Sequence, residues 1–171
     1  MWVRVATNGR YQEDPMANKP NYVPEGYRTI TPYLVVKGGA KAIDYYTKVF
    51  GAKELMRMEA PDGRVGHAEL QIGDSHIMLA DEHPEMNIRG PQSLGGSGVG
   101  ILVYVPDVDH VFQQAVDAGA KVEREVKDQF YGDRSGNIVD PFGHKWTIAT
   151  HVEDVAPEEM KRRAEAAMQT T

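Results

Sequence analysis

Two places in this chain of 171 residues end a helical pattern with nearly the same four letters: Phe50-Gly51-Ala52-Lys53 and Ala118-Gly119-Ala120-Lys121. Glycine at a helix end supplies left-handed backbone that other residues reach only with strain. The surroundings repeat as well. In the first half, a β-rich stretch over 29–36, broken by Gly38-Gly39, precedes a helix over 40–50 with Ile43, Tyr46, Val49 and Phe50 on one face. Strands follow over 53–59, 65–72 and 76–80, separated by the turn signals Pro61-Asp62-Gly63 and Gly73-Asp74. In the second half, a strand over 99–105 leads to a helix opened by Pro106 and N-capped by Asp107, with the stripe Val108, Val111, Phe112, Ala115 and Val116. A strand over 121–126 comes next. The chain then enters its most distinctive stretch, 130–151, in which Asp140-Pro141-Phe142-Gly143 is turn chemistry and 145–149 alternates as a strand. Each half reads β-α-β-β-β. A repeat of about 60–70 residues is too long for a solenoid unit. It predicts an α+β fold in which a duplicated half-domain packs two sheets around a common groove.

The remaining constraints come from composition. A hydrophobic content of 41% can build one ordinary domain, and 26% charged residues is average for a soluble chain. The net charge of −6 argues against a nucleic-acid surface and is compatible with a cationic ligand. With no cysteine, disulfides, thiolate metal sites and a Cys nucleophile are excluded. No apolar run approaches the roughly 20 residues of a membrane span. The first residues lack the apolar core of a secretory signal, so the cytoplasm is the expected compartment. Residues 1–27 read as an N-terminal extension. Its first 15 residues are expected to be poorly ordered or added to the natural chain, and Met16 is a second possible start. The domain is expected over 28–152, with modules 28–90 and 97–152 joined through a mobile Pro- and Gly-rich loop over 81–97. Residues 153–171 read as a helix and tail. Pro157 suits its first position, and the stripe Met160, Ala164, Ala167 and Met168 reads as ordinary packing on this subunit or a partner.

Strand alternation sorts side chains onto two faces. Leu34, Val36, Leu70, Ile72, Leu79, Trp146 and Ile148 belong against the helices. Thr31, Tyr33, Val35, His67, Glu69, His76, Met78, Leu102, Tyr104 and Thr147 belong to the opposite, groove-lining face. Aromatic rings, a thioether and a few polar groups are the mixture that small-molecule pockets use. His67 and Glu69, two residues apart, project from one strand face, and His76 shares its face with Met78. These three form a candidate metal site, or else simply polar groove residues. His144 and His151 read as hydrogen-bonding or exposed groups at the ends of the last strand, and His83 and His110 as loop and helix-surface residues. Asp133-Arg134 reads first as a structural ion pair or turn-stabilising Asp, and second as a catalytic pair or substrate clamp. Phe130, Tyr131 and Phe142 are either stacking surfaces for a planar ligand or core residues. The run Gly95-Gly96-Ser97-Gly98-Val99-Gly100 leads into a strand and not a helix N-terminus. It is therefore a hinge or lid, not a phosphate cradle.

The duplicated β-α-β-β-β order, together with particular motifs, resembles the vicinal-oxygen-chelate superfamily of glyoxalases, extradiol dioxygenases and fosfomycin- and bleomycin-resistance proteins. Within it the chain is similar to the PhnB-like group. The motifs are Thr31-Pro32-Tyr33-Leu34, Ala42-Ile43-Asp44-Tyr45-Tyr46, His67-Ala68-Glu69-Leu70, Ile72-Gly73-Asp74-Ser75, Tyr131-Gly132-Asp133-Arg134 and Asp140-Pro141-Phe142-Gly143-His144. The resemblance covers roughly residues 28–153. It implies a homodimer, and it implies metal ligands on the first and last strand of each half. Projected onto this chain, those positions are Thr31, Met78, Gly100 and Thr147. None is a usual ligand for a divalent ion.

The expectation is therefore a metal-independent binder of a small organic molecule, of the sequestering, bleomycin-resistance kind, with no cofactor. Tyr33, Met78, Tyr104, Tyr131 and Arg134 would supply contacts, and Glu69 would meet a cationic group. The alternative is a lyase, isomerase or transferase using one divalent metal ion relocated to His67, Glu69 and His76. A third reading is a metal-free acid–base enzyme whose catalytic residues are Glu69 and His67.

Overall fold

The computed structural model describes residues 20–169. The expectations for residues 1–15 and for a start at Met16 fall outside the described residues. The elements run β1 (Tyr33–Val36), α1 (Gly39–Phe50), β2 (Lys53–Glu59), β3 (Val65–Ile72), β4 (Ser75–Asp81), α2 (Pro91–Leu94), β5 (Gly100–Tyr104), α3 (Val108–Asp117), β6 (Lys121–Asp128), β7 (Asp133–Val139), β8 (Lys145–His151) and α4 (Pro157–Gln169). They form two four-stranded sheets of identical topology, β1-β4-β3-β2 and β5-β8-β7-β6. In each sheet the first strand lies parallel to the last, and the other pairs are antiparallel. The duplication read from the helix ends is thus a duplication of architecture.

Local chemistry explains the element boundaries. Gly51 stops α1 in the left-handed region at φ 63°, and its N–H donates to the Tyr46 carbonyl. Asp107 caps α3 by accepting from the His110 N–H at 3.0 Å. Gly136 lets α3 lie against β7, since a Cβ there would meet the Phe112 ring at 2.6 Å. The first strand begins at Tyr33 and not at residue 29, because Pro32 has no N–H to give; its carbonyl still accepts from Met78 N–H at 2.8 Å. The loop expected over 81–97 is more ordered than its glycines imply. A 3₁₀ turn at Pro84–Met86 and α2 sit within it. Arg64 fixes this stretch by donating to the Glu82 carbonyl and pairing with Glu85, and Gly90 N–H donates to the Glu82 carboxylate.

One core serves both halves. The covered faces of the two sheets, including Leu34, Val36, Leu70, Leu79, Ile138, Trp146 and Ile148, join α1 and α3 in a single buried cluster. At its centre Tyr46, Phe50, Phe142 and Trp146 pack ring against ring, with centroids 4.7–6.2 Å apart. Full burial of each such ring contributes about 1.5–3 kcal/mol. Asp140 ties the joint. Its carboxylate accepts from Tyr46 Oη at 2.7 Å, Trp146 Nε1 at 2.8 Å and the Phe142 and His144 N–H groups at 2.9 Å. Burial, with Asp140 beside it, pushes the Tyr46 phenol well above its ordinary pKa.

This joint corrects the expectation of a common groove. The halves are bonded through their helix-covered faces, so within one chain their open faces do not oppose each other. Tyr33 and Leu102, both 51% exposed, and Tyr104, 59% exposed, lie bare on those open faces. In α4, Met160 and Ala164 are half-buried while Ala167 and Met168 are exposed, and Arg163 pairs with Glu153 and Glu159. Among the described residues no helix is long and apolar enough to cross a membrane.

Candidate functional site

The open face of the first sheet carries the densest polar chemistry. In register, Tyr33 on β1 lies beside Met78 on β4, and Met78 beside Glu69 on β3. The chain entering β1 returns across this face. Together they border an open cavity of about 630 Å³, lined by Tyr22 to Pro24 and Tyr27 to Thr29 of the entering segment and by Thr31, Glu69 and Met78. No residue of the second sheet lines it.

Tyr27 organises the cavity, although it belongs to the stretch read as an extension. Its ring stacks on His76 with centroids 4.4 Å apart and 19° between planes, and its hydroxyl donates to Glu69 Oε2. His76 is buried as a result, and its Nδ1 has no hydrogen-bond partner among the described residues. His67 Nε2 approaches Glu69 Oε1 at 3.3 Å, and Tyr33 Oη meets His67 Nδ1 at 2.9 Å. The Tyr27 hydrogen bond, helped by His67 and His76, holds the Glu69 carboxyl below its ordinary pKa of 4.5. The same bond pushes the Tyr27 phenol up to about 12. Near neutrality, then, Glu69 is an anion and Tyr27 a donor. Sequence periodicity could not find Tyr27, because its stretch has no regular secondary structure. Its only signal was an aromatic residue close to β1.

The other expected contacts lie elsewhere. Tyr104 donates to Asp133 Oδ2 at 2.9 Å on the second sheet, and Tyr131 packs edge-on against Phe130 beside the same strand end. His151 sits between Asp133, at 2.8 Å, and Asp154, at 3.0 Å. These carboxylates raise the imidazole pKa above 6.5. Arg134 points to the helix side. It makes a bidentate pair with Asp109 at 2.7 Å and reaches Asp128 at 3.1 Å. It does not pair with its neighbour Asp133, whose carboxylate faces Tyr104 and His151 instead. Phe142 is a core residue. The glycine run borders a separate cavity of about 680 Å³ beside the Lys145–Glu123 ion pair.

The projected metal positions do not fit a divalent ion. Thr31 and Met78 offer a hydroxyl and a thioether on the first sheet, while Gly100 and Thr147 offer only a hydroxyl on the second. In the alternative set, Glu69 is already bonded to Tyr27 and His67, and the Tyr27 ring covers His76. Among the described residues no three His, Asp or Glu side chains converge as a metal-binding group.

Twin β-α-β-β-β modules with this strand order define a paired-module sheet protein with open, ligand-sized faces. Residues 28–148 match the family model of the Glyoxalase/Bleomycin resistance protein/Dioxygenase superfamily, and the chain belongs to that superfamily. It is 44% identical over 135 residues to the uncharacterized protein Rv0887c of Mycobacterium tuberculosis, a match covering 77% of this chain and 79% of the relative. Among solved structures, TioX from Micromonospora sp. ML1 is similar at 26% identity and a TM-score of 0.57, over 72% of this chain and 98% of that one. The PhnB protein from Bacillus cereus shares the fold at 18% identity and a TM-score of 0.58, over 72% and 99% of the two chains.

Proposed function

We propose that the protein binds a small organic molecule without a metal, taking it onto the open face of the first sheet and sequestering it there. The observation that carries this reading is the ionised Glu69 on a cavity wall of tyrosines, a thioether, hydroxyls and the aliphatic Val23 and Pro24, where the cationic Arg28 is paired with Asp74. Such a wall favours a ligand with a planar apolar body and a cationic group, since an anion in a partly desolvated pocket attracts a cation more strongly than one in water. Tyr27 and Tyr22 supply stacking area and Met78 an adaptable apolar contact. The partner chain is a second copy of this one. The bare Leu102 and Tyr104 support that reading, because a homodimer would cover them and deepen the shallow face around the site.

The test begins with the metal content of protein purified without chelator or metal-affinity tag, followed by add-back of Mg, Mn, Fe, Ni and Zn. The expected result is no stoichiometric metal and no thermal stabilisation on add-back. A screen of cationic aromatic compounds should then raise Tm, in a manner that Glu69→Gln weakens. Stoichiometric, stabilising metal overturns the proposal and moves attention to a relocated centre at His67, Glu69 and His76.

A further inference from the structure

Four side chains on the first sheet's open face form an unbroken hydrogen-bonded line: Tyr33, His67, Glu69 and Tyr27. Protonation chemistry fixes its direction. Glu69 is held ionised, so both of its oxygens can only accept. Tyr27 donates to one of them, and the proton facing the other must sit on Nε2 of His67. When the imidazole carries a single proton, on Nε2, Nδ1 has a lone pair and the 2.9 Å contact there is Tyr33 donating to His67. The order is hydroxyl, imidazole, carboxylate, the logic by which a positioned base activates a hydroxyl nucleophile. Tyr27 completes it by fixing the carboxylate from behind. Tyr33 is half exposed and lies beside Met78, which lines the Glu69 cavity.

From this geometry we infer that Tyr33 is a reactive residue, a phenol whose proton is passed to His67 so that its oxygen acts as a base or nucleophile toward a molecule on the open face. The inference takes that face as a ligand site, as proposed above, and adds chemistry to it. With its own proton committed to His67, the Tyr33 oxygen presents only lone pairs outward. The molecule it suits therefore carries an O–H or N–H donor, or an electrophilic centre. In proton transfer, the bond from hydrogen to the substrate heteroatom breaks as a new O–H forms at Tyr33. The original phenolic proton moves to Nδ1, and the resulting imidazolium is held by Glu69. Partial burial raises the Tyr33 phenol above its ordinary pKa, so the resting group is an intact phenol and the relay must act in step with the reaction. The groups facing His67 are Glu69 on its own strand and Tyr33 from β1; His76 on β4 and Tyr27 from the entering segment act on it through Glu69.

The experiment uses two arylsulfonyl fluoride probes on the intact protein: the cationic 4-(2-aminoethyl)benzenesulfonyl fluoride and the neutral benzenesulfonyl fluoride. In labelling, the Tyr33 oxygen bonds to sulfur, the S–F bond breaks, fluoride leaves and the phenolic proton goes to His67. Peptide mapping by mass spectrometry then gives a rate for each tyrosine. Tyr33 should label roughly 100-fold faster than the freely exposed Tyr22, the low end of what a positioned base contributes. His67→Gln, which keeps a hydrogen-bonding side chain, should bring that rate down to that of Tyr22. Equal rates at Tyr33 and Tyr22, or a Tyr33 rate indifferent to His67→Gln, would overturn the relay. The contrast between probes reads the ligand site separately. If the cationic reagent loses its advantage over the neutral one while His67 still governs the rate, the cationic-ligand reading fails and the relay stands.

Discussion

The two halves of this protein share a backbone and diverge in chemistry at matching positions. On the open face of the first sheet, Tyr33, Met78 and Glu69 lie side by side; in the second sheet the same register brings Leu102, Thr147 and Asn137 together. The first trio includes an anion engaged by Tyr27 and His67. The second is neutral and satisfies itself, with Asn137 Nδ2 donating to Thr147 Oγ1 at 2.7 Å. The helix starts differ in the same way. Asp81, beside the end of β1, accepts from the N–H groups of Gly38, Gly39 and Val65 at 2.7–2.9 Å. Thr150, at the corresponding place beside β5, accepts only from Val108 N–H, at 2.9 Å. A duplicated scaffold keeps its hydrogen-bond register because register is set by the covered face, which both halves bury in one core. The open face carries no such constraint, so matching positions are free to hold a charged group in one half and neutral side chains in the other.

The largest expected effect comes from breaking what holds the halves together. Asp140→Ala leaves four donors without their acceptor, at about 1–3 kcal/mol for each one that stays buried. A loss of roughly 3–5 kcal/mol in urea unfolding is expected, and a loss under about 1 kcal/mol would show that the halves do not depend on this joint. Next, Asp81→Ala should cost about 2–3 kcal/mol and Thr150→Val about 1 kcal/mol, in proportion to the backbone donors each serves. Equal losses would erase the asymmetry between the helix starts.

The open faces can be compared through binding. Glu69→Gln should weaken a cationic aromatic ligand about 10- to 100-fold by calorimetry, as expected for loss of one charge-assisted contact, while Asn137→Ala leaves the affinity unchanged. The same variant should alter the pH profile. The folded-state pKa of Glu69 is depressed, so its stabilising contribution is present above the ordinary value of 4.5 and is lost as pH falls through the folded one. Glu69→Gln removes that portion of the acid-side loss. The smallest effect belongs to the second half. His151 has a raised pKa, so its contribution is complete below 6.5 and is lost as pH rises through the raised value. Because the imidazole is half exposed, solvent screening keeps the change small. A Tm difference between wild type and His151→Gln that shrinks from pH 6 to pH 9 would reveal it, and a constant difference would contradict it.

Much of the scaffold was legible in residue order. The helix ends at Gly51 and after Asp117, the Asp107 cap and the covered stripe of Leu70, Leu79, Trp146 and Ile148 follow from local rules, and the structure has them. Glu69 and His67 were legible as neighbours on one strand face for the same reason. Arg134 was ambiguous because its partner Asp109 lies 25 residues away on another element. The order of the loop over 81–97 depends on Arg64, which no local pattern in that loop reveals. Tyr27 was read as part of an extension because a segment without period carries no information about the surface on which it lands.

The sequence by itself determined the twin modules, the two faces of β1, β3, β4 and β8 and the absence of usual metal donors at the projected positions. Each follows from spacing or residue type, which need no distant contact. The tertiary structure alone decided that the covered faces join through Asp140 and the aromatic cluster, turning the open faces outward. It also decided that Tyr27 folds back onto His76 and Glu69. Those outcomes depend on which surfaces bury the most apolar area against each other, and that is a property of the packed whole.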